Sequence, residues 1–244
     1  MLDIKAFKNF ISASEDSDRF NFPFRISYSQ FSEDLVLELL LEKINPGTYL
    51  DIGAFHHSDL SNTRKLHQRG WVGVNVDANP QRLESFDEFR PKDHNLNFGV
   101  GNQEEYSLYI FNNPALSTTK LDWLEHAIEL NPWRRVVSEI TVPGIRLRTL
   151  LDRYFYDQKL NLLSIDIEGA DFEALLSLDF ESLSPERYPD YIMIETIHDF
   201  GHLDSNKATK ILKEYGYSIV SVLPSSTIFE SPTSGQITNT NLIP

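Results

Sequence analysis

Acidic side chains follow two apolar runs late in the chain, in a pattern that suits a hard cation or a proton transfer. Asp166 follows the run 162–165, and Glu195 follows the run 191–194. If these runs are adjacent parallel strands, the two acids lie roughly 5 Å apart at one sheet edge. An oxygen-rich site without thiolates favours Mg²⁺ over zinc. We predict that Asp166 and Glu195 share Mg²⁺ or, alternatively, that one of them or His198 is the general base that takes a proton from a substrate hydroxyl.

A carboxylate and two small residues accompany the first apolar run, 48–52. A dinucleotide site favours G-x-G-x-x-G, but only Gly53 is present here, which argues against a pyrophosphate ligand. Asp51, beside Gly53 and Ala54, suits a cationic ligand such as the sulfonium and amino group of S-adenosylmethionine. The alternative is a turn that needs glycine, with an incidental aspartate.

A second carboxylate ends the next apolar run. Asp77 lies 24 residues after Gly53, a position that suits a carboxylate accepting two ribose hydroxyls. Val100 and Gly101 end the third run and leave room for an adenine ring. These features predict a nucleoside cofactor without choosing between NAD and S-adenosylmethionine, and a helix cap is the simpler interpretation of Asp77.

Two adjacent histidines, His56 and His57, follow the first strand. Consecutive residues of an extended loop point in different directions, so we do not expect both to bind one metal. One of them, His57 in our assignment, is expected to face the cofactor or acceptor as a second candidate base.

Helical and strand patterns alternate along the chain. Ser32 and the acids after it predict a capped helix at 32–43. Further helices are expected at 61–70, 82–90, 121–130, 148–156, 172–179 and 205–216, the last capped by Ser205. Strands are expected at 48–54, 71–79, 95–101, 106–111, 140–147, 161–169, 190–196, 217–223 and 227–230.

This order predicts an α/β fold with a mostly parallel, Rossmann-like sheet of seven strands. The last two strands are joined by a short Pro-Ser turn and indicate an antiparallel hairpin. A parallel sheet ending in such a hairpin is typical of class I methyltransferases. We expect an N-terminal arm at 1–31, the main domain at 32–230 with a lid insertion at 112–140, and a flexible tail at 231–244.

The expected insertion contains aromatic and basic side chains that could contact an acceptor. Tyr109, Trp123 and Trp133 could stack on a sugar face or could form the core of the lid. Arg134 and Arg135 could attract an anionic acceptor or could simply be solvated.

Bulk composition narrows the class of protein. The 244 residues carry a formal charge of -14, which disfavours binding to the phosphate backbone of nucleic acid. No cysteine is present, which excludes thiol nucleophiles and cysteine-ligated zinc. We find neither a basic, apolar leader nor a run near the roughly 18 apolar residues of a membrane span. We expect one cytoplasmic domain, and its oligomeric state is left open.

Three segments together resemble the FkbM family of methyltransferases: SQFSEDL at 29–35, YLDIGAFHHSDLSNTRKLHQRGWVGVNVDANP at 49–80, and LLSIDIEGADFEALLSLD at 162–179. The resemblance implies S-adenosylmethionine as cofactor and O-methylation of a small-molecule or glycan acceptor. The matching positions are Asp51, Gly53, Ala54, Ser61, Asn62 and Asp77 for the cofactor, and Asp166, Glu168 and Gly169 for the D-I-E-G motif. Ala78-Asn79-Pro80 departs from the family's usual Pro-Asn after the ribose acid.

Two other classes of protein share such a sheet. A nicotinamide-dependent sugar oxidoreductase or epimerase is disfavoured by the sparse glycines and the terminal hairpin. A non-catalytic module with a relict pocket is disfavoured by the retained Asp51, Asp77 and Asp166.

Overall fold

The computed structural model describes residues 25–196 and 205–234. His198, the arm before residue 25 and the tail after residue 234 lie outside the described residues. The helices are α1 (Glu33–Leu40), α2 (Arg64–Gln68), α3 (Pro80–Phe89), α4 (Leu121–Leu130), α5 (Leu147–Tyr154), α6 (Asp171–Leu176) and α7 (Lys207–Glu214). The strands are β1 (Thr48–Ile52), β2 (Val72–Asp77), β3 (His94–Asn97), β4 (Gly99–Val100), β5 (Glu105–Phe111), β6 (Val136–Ile145), β7 (Leu162–Ile165), β8 (Tyr191–Glu195), β9 (Ser218–Val222) and β10 (Ser226–Glu230).

Seven strands form the main sheet in the order β3-β2-β1-β7-β8-β10-β9. The first five run parallel to one another, and β10 is antiparallel to both of its neighbours, β8 and β9. This confirms the predicted Rossmann-like methyltransferase fold with its terminal hairpin. Because β1 pairs with β2 on one side and β7 on the other, the carboxyl ends of β1, β2, β7 and β8 meet at one edge.

Alternate side chains of the sheet enter two separate cores. Leu50 and Ile52 of β1 belong to the core that contains helices α5, α6 and α7. Tyr49 belongs to the opposite core, with Leu37 of α1 and Leu66 of α2. Since side chains alternate along a strand, Asp51 shares the face of Tyr49 and is directed toward α1 and α2.

The start of α1 differs from the prediction. Ser32 precedes the helix with φ 70° and makes no side-chain cap bond. The two acids of the first turn, Glu33 and Asp34, are buried. Asp34 accepts hydrogen bonds from the Ser27 and Ser29 hydroxyls and the Tyr28 N–H. The first turn therefore anchors the preceding segment.

The predicted third strand is divided in two. His94–Asn97 pairs with β2, whereas Gly99–Val100 turns away and joins a second sheet of order β4-β6-β5. The prediction of one strand was wrong, since Gly99 and Val100 pair with Gly144 and Ile145 of β6. Tyr106 packs against Gly99, where a Cβ would lie 2.6 Å from its ring. In the same sheet β6 begins at Val136, before the expected start at residue 140.

The hydrogen-bonded cap of α7 is Asn206, not Ser205, since its side chain accepts the Thr209 N–H. No helix among the described residues is long and apolar enough to cross a bilayer.

Candidate functional site

The turn after β1 lies against the end of β7. Gly53 has φ +81°, and its N–H donates to the Val76 carbonyl. A Cβ at Gly53 would lie 1.8 Å from the carbonyl oxygen of Asp166. Any larger residue would push the two strand ends apart, so glycine is required here both by φ and by space.

Two cavities open on either side of this turn. They occupy about 610 Å³ and about 560 Å³, including space open to solvent. They share the lining residues Gly53, Phe55, Ala115, Asp166 and Glu168. The two cavities therefore form one cleft that bends at Gly53.

The first cavity combines an acid with an apolar pocket. Asp77 lines it together with Phe98, Val100 and Leu108. Asn79 also lines it, with 3% of its surface exposed, and its Nδ2 has no hydrogen-bond partner among the described residues. An apolar slot with a carboxylate and a buried unpaired donor suits a ligand that has a flat ring and several hydroxyls.

Asp77 also holds the turn after β1. Its two carboxylate oxygens accept the N–H groups of Phe55, at 2.9 Å, and Asn79, at 2.7 Å. Burial raises the pKa of Asp77 to about 6, although these bonds oppose the shift. A carboxylate has about four acceptor positions, so two remain for ligand hydroxyls.

The second cavity is acidic. Its lining includes Glu33, Asp51, Asp166 and Glu168 and contains no lysine, arginine or histidine among the described residues. Glu33 reaches it from the start of α1, and its carboxylate accepts the Ser225 hydroxyl at 3.1 Å. The sequence placed Glu33 in the first turn of a helix but did not indicate that it lines a cavity, because only the packing of distant segments brings it here.

Three acids converge where β7 and β8 end. One carboxylate oxygen from each of Asp166, Glu168 and Glu195 lies within 4.8 Å of the other two. The predicted proximity of Asp166 and Glu195 is thus observed, with Glu168 added. Hard oxygen ligands in this number fit a divalent cation such as Mg²⁺.

Burial and mutual repulsion favour the neutral forms of these acids. Burial, followed by the charges of Asp171 and Glu33, raises the pKa of Asp166 to about 7. Burial, and then Asp166 and Asp171, raises the pKa of Glu168 to about 9 and that of Glu195 to about 11. The three groups can be ionised together only beside a positive charge.

A buried arginine fixes the loop that follows β1. Arg90 is 1% exposed, and its guanidinium donates to the His57 carbonyl at 2.6 Å, the Ser61 hydroxyl at 2.9 Å and the Thr63 hydroxyl at 2.8 Å. Thr63 in turn donates to Asp51 at 2.8 Å. Arg90 therefore connects the histidine loop to the acid of β1, a role that no local sequence pattern signals.

The two histidines lie outside the lining of both cavities. The His57 ring stacks on Phe89, with 4.1 Å between centroids, and contacts the His56 ring at 4.3 Å. Burial, then the charges of His56 and Arg90, lowers the pKa of His57 to about 4. His56 Nδ1 accepts N–H groups of Ser58 and Asp59. His57 therefore packs outside the lining of the cleft, contrary to the expectation that it faces the cofactor or acceptor.

The remaining predicted cofactor residues divide into two groups. Asp51, Gly53, Ala54, Asn62, Asp77, Val100 and Asp166 line the cleft. Ser61 and Gly101 do not: Ser61 is bound by Arg90, and Gly101 packs under the Tyr106 hydroxyl, 2.2 Å from where a Cβ would be. The predicted base His198 lies outside the described residues.

Two comparisons bear on this site. A model of the family described as "Methyltransferase FkbM domain" matches residues 51–219. The match spans the cleft from β1 to β9 and covers more than half of the chain. No curated protein matches the chain.

Proposed function

The chain belongs to the FkbM methyltransferase family, and from this premise we propose that it transfers the methyl group of S-adenosylmethionine to a hydroxyl group of a glycan or secondary metabolite. A cytoplasmic location, as expected for a chain without cysteine, is part of the same proposal.

The observation that carries the proposal is the cleft that bends at Gly53. Its first arm offers an apolar slot, the ribose acceptor Asp77 and the unpaired Nδ2 of Asn79. This arm suits the adenosine of S-adenosylmethionine. Asp51 and Asp166 line its second arm. Their carboxylates would attract the positively charged sulfonium and amino group. The bend would direct the methyl group toward Asp166 and its acidic neighbours.

Methyl transfer requires the protein mainly to position the acceptor and to remove its proton. A sulfonium carries a methyl group that is already activated for displacement. The protein must hold the acceptor oxygen in line with the carbon–sulfur bond and lower the cost of removing the hydroxyl proton. We assign proton removal or acceptor orientation to Asp166, Glu168 and Glu195, whose carboxylates converge within 4.8 Å, with His198 retained as the neutral candidate base.

A magnesium ion would fit the same three acids. Asp166, Glu168 and Glu195 supply only oxygen ligands, and the repulsion that raises their pKa values would be relieved by a divalent charge. Such an ion lowers the pKa of a bound hydroxyl group. The metal and the base hypotheses therefore use the same residues and differ in their need for a cation.

A methyl-transfer assay against a panel of glycans and hydroxylated metabolites, with and without EDTA, tests both the methyl transfer and its need for a cation. Calorimetric titration with S-adenosylmethionine, and with NAD as control ligand, tests the cofactor separately. Binding of NAD in place of S-adenosylmethionine would contradict the proposed function. An unchanged rate in EDTA would contradict the magnesium assignment alone.

Asp166→Asn and Glu195→Gln should each lower kcat about 100-fold or more, as for loss of a general base. If the residues bind Mg²⁺, raising the Mg²⁺ concentration should partly restore Glu195→Gln. A base would give no such rescue. The exposed Glu42→Gln is the matched control.

A further inference from the structure

The turn that carries Glu168 has an unusual backbone. Glu168 has φ +53° and Gly169 has φ +92°, and a left-handed conformation is uncommon for a residue other than glycine. The Asp171 carboxylate accepts the N–H groups of Ile167 at 2.9 Å and Gly169 at 3.0 Å. These bonds hold the N–H groups of the turn in place. The Glu168 carbonyl needs a hydrogen-bond donor from another segment.

That partner comes from the segment expected to be the lid. The Thr118 hydroxyl donates to the Glu168 carbonyl at 2.7 Å across fifty positions of sequence. The same hydroxyl oxygen accepts the Lys120 N–H at 3.0 Å, and the Thr118 backbone pairs with Tyr109 in both directions. Thr118 is 1% exposed, so its hydroxyl is held in one orientation and points at the turn.

Two further contacts from the same segment reach the turn. Lys120 Nζ lies 2.9 Å from the Glu173 carboxylate. The Trp123 ring covers Gly169 so closely that a Cβ there would lie 2.5 Å from its Cδ1. Trp123 therefore packs against the acid-bearing turn.

We propose that Thr118 is a positioning residue that sets the direction of the Glu168 carboxyl group for methyl transfer. This inference rests on the proposed function. Thr118 acts through the backbone, because its hydroxyl bonds the Glu168 carbonyl and not a reacting atom. If the carbonyl is released, the turn can rotate, and the Glu168 carboxyl group leaves its place within 4.8 Å of Asp166 and Glu195.

The alternative is that Thr118 only forms part of the wall of the first cavity, which it also lines. The two roles make different demands on the side chain. A wall needs its volume, whereas positioning needs its hydroxyl group. Valine retains the volume and serine retains the hydroxyl group, so Thr118→Val and Thr118→Ser separate the roles.

The test measures kcat in the methyl-transfer assay and the Kd of S-adenosylmethionine by calorimetry for both variants. We expect Thr118→Val to lower kcat about 10-fold or more, as for small displacements of a catalytic group, with less than about a threefold change in Kd. Thr118→Ser should keep most of kcat. A second pair compares Trp123→Leu, expected to lower kcat, with Tyr156→Leu, which changes a side chain that is 81% exposed and should leave kcat unchanged.

Other outcomes would overturn the inference. Thr118 would have only the wall role if Thr118→Val leaves kcat unchanged or lowers kcat and the affinity for S-adenosylmethionine by the same factor. The same would follow if Thr118→Ser does not retain kcat. If Thr118→Val does not fold, the comparison of Trp123→Leu with Tyr156→Leu decides, and equal rates in the two would contradict positioning. Failure of the wild-type protein to bind S-adenosylmethionine or transfer methyl would instead contradict the proposed function.

Discussion

Gly53 and Asp166, more than a hundred residues apart in sequence, are in backbone contact at the centre of the cleft. The Asp166 carbonyl oxygen occupies the space that a Cβ on Gly53 would need, 1.8 Å away, and the Asp166 N–H donates to Ile52 at 3.0 Å. The end of β1 and the end of β7 are thereby held at one fixed separation. Both arms of the cleft depend on that separation.

Gly53→Ala should therefore abolish S-adenosylmethionine binding. It should also lower the free energy of unfolding by more than the left-handed φ alone would. Gly70→Ala is the matched control, because Gly70 has a similar φ of +85° but no atom within 4 Å of a built Cβ. The control should cost about 1–2 kcal/mol from left-handed strain. Denaturant unfolding and calorimetry measure both effects. Equal costs in the two variants would show that the close approach is unimportant.

The acid cluster predicts a dependence of stability on pH. Burial raises the pKa values of Asp77, Asp166 and Glu168 from their ordinary values of 3.8, 3.8 and 4.5 to about 6, 7 and 9. From about pH 4 to pH 9 these three groups therefore bind more protons in the folded than in the unfolded state, and they outweigh the opposite effect of the lowered His57 pKa. The free energy of unfolding should fall as pH rises through this window.

Guanidinium unfolding at pH 5 and pH 8 without ligand measures this difference. The midpoint should be lower at pH 8, and Glu168→Gln should reduce the gap, whereas the exposed Glu42→Gln should leave it as in the wild type. Saturating S-adenosylmethionine should also narrow the gap, because its positive charge favours ionised carboxylates. A gap unaffected by Glu168→Gln would contradict the proton linkage assigned to this residue.

Arg90 should be required for the stability of the loop after β1. Arg90→Leu leaves the His57 carbonyl and the Ser61 and Thr63 hydroxyls without their donor. Removing one partner of a buried charged network costs about 3–5 kcal/mol. Arg153→Leu, an exposed substitution on α5, should change the unfolding free energy by less than about 0.5 kcal/mol. Similar small changes in both variants would mean that the loop is held by other contacts.

Much of the fold was predictable because it depends on short-range patterns. Apolar runs at β1, β2, β7 and β8, separated by helical patterns, indicated parallel strands, and the acids at or near their ends were expected at one edge. The prediction located Asp51, Asp77, Asp166 and Glu195 correctly at that edge, since a parallel sheet leaves no other arrangement. Their roles in binding and catalysis stay predictions.

The parts that could not be predicted depend on contacts between distant segments. Glu33 meets Ser225 across 192 positions of sequence, and Thr118 meets Glu168 only because the segment between β5 and β6 folds back over β7. Neither pairing has a local pattern. The division of the third strand likewise depends on the pairing of Gly99 and Val100 with β6, which hydrophobic periodicity does not encode.

The histidine loop provides the last prediction, a direct test of His57 as a base. Its ring stacks on Phe89 and has a pKa of about 4, so it is neutral at pH 7 but too weakly basic to accept a proton efficiently from an alcohol. His57→Leu, which keeps an apolar contact with Phe89, should therefore retain kcat within about tenfold, less than the loss expected on removing a general base. His56→Leu, made separately, should do the same. A loss of about 100-fold or more in His57→Leu alone would mean that its ring enters the cleft during the reaction, and equal, severe losses in both would restore a shared metal site.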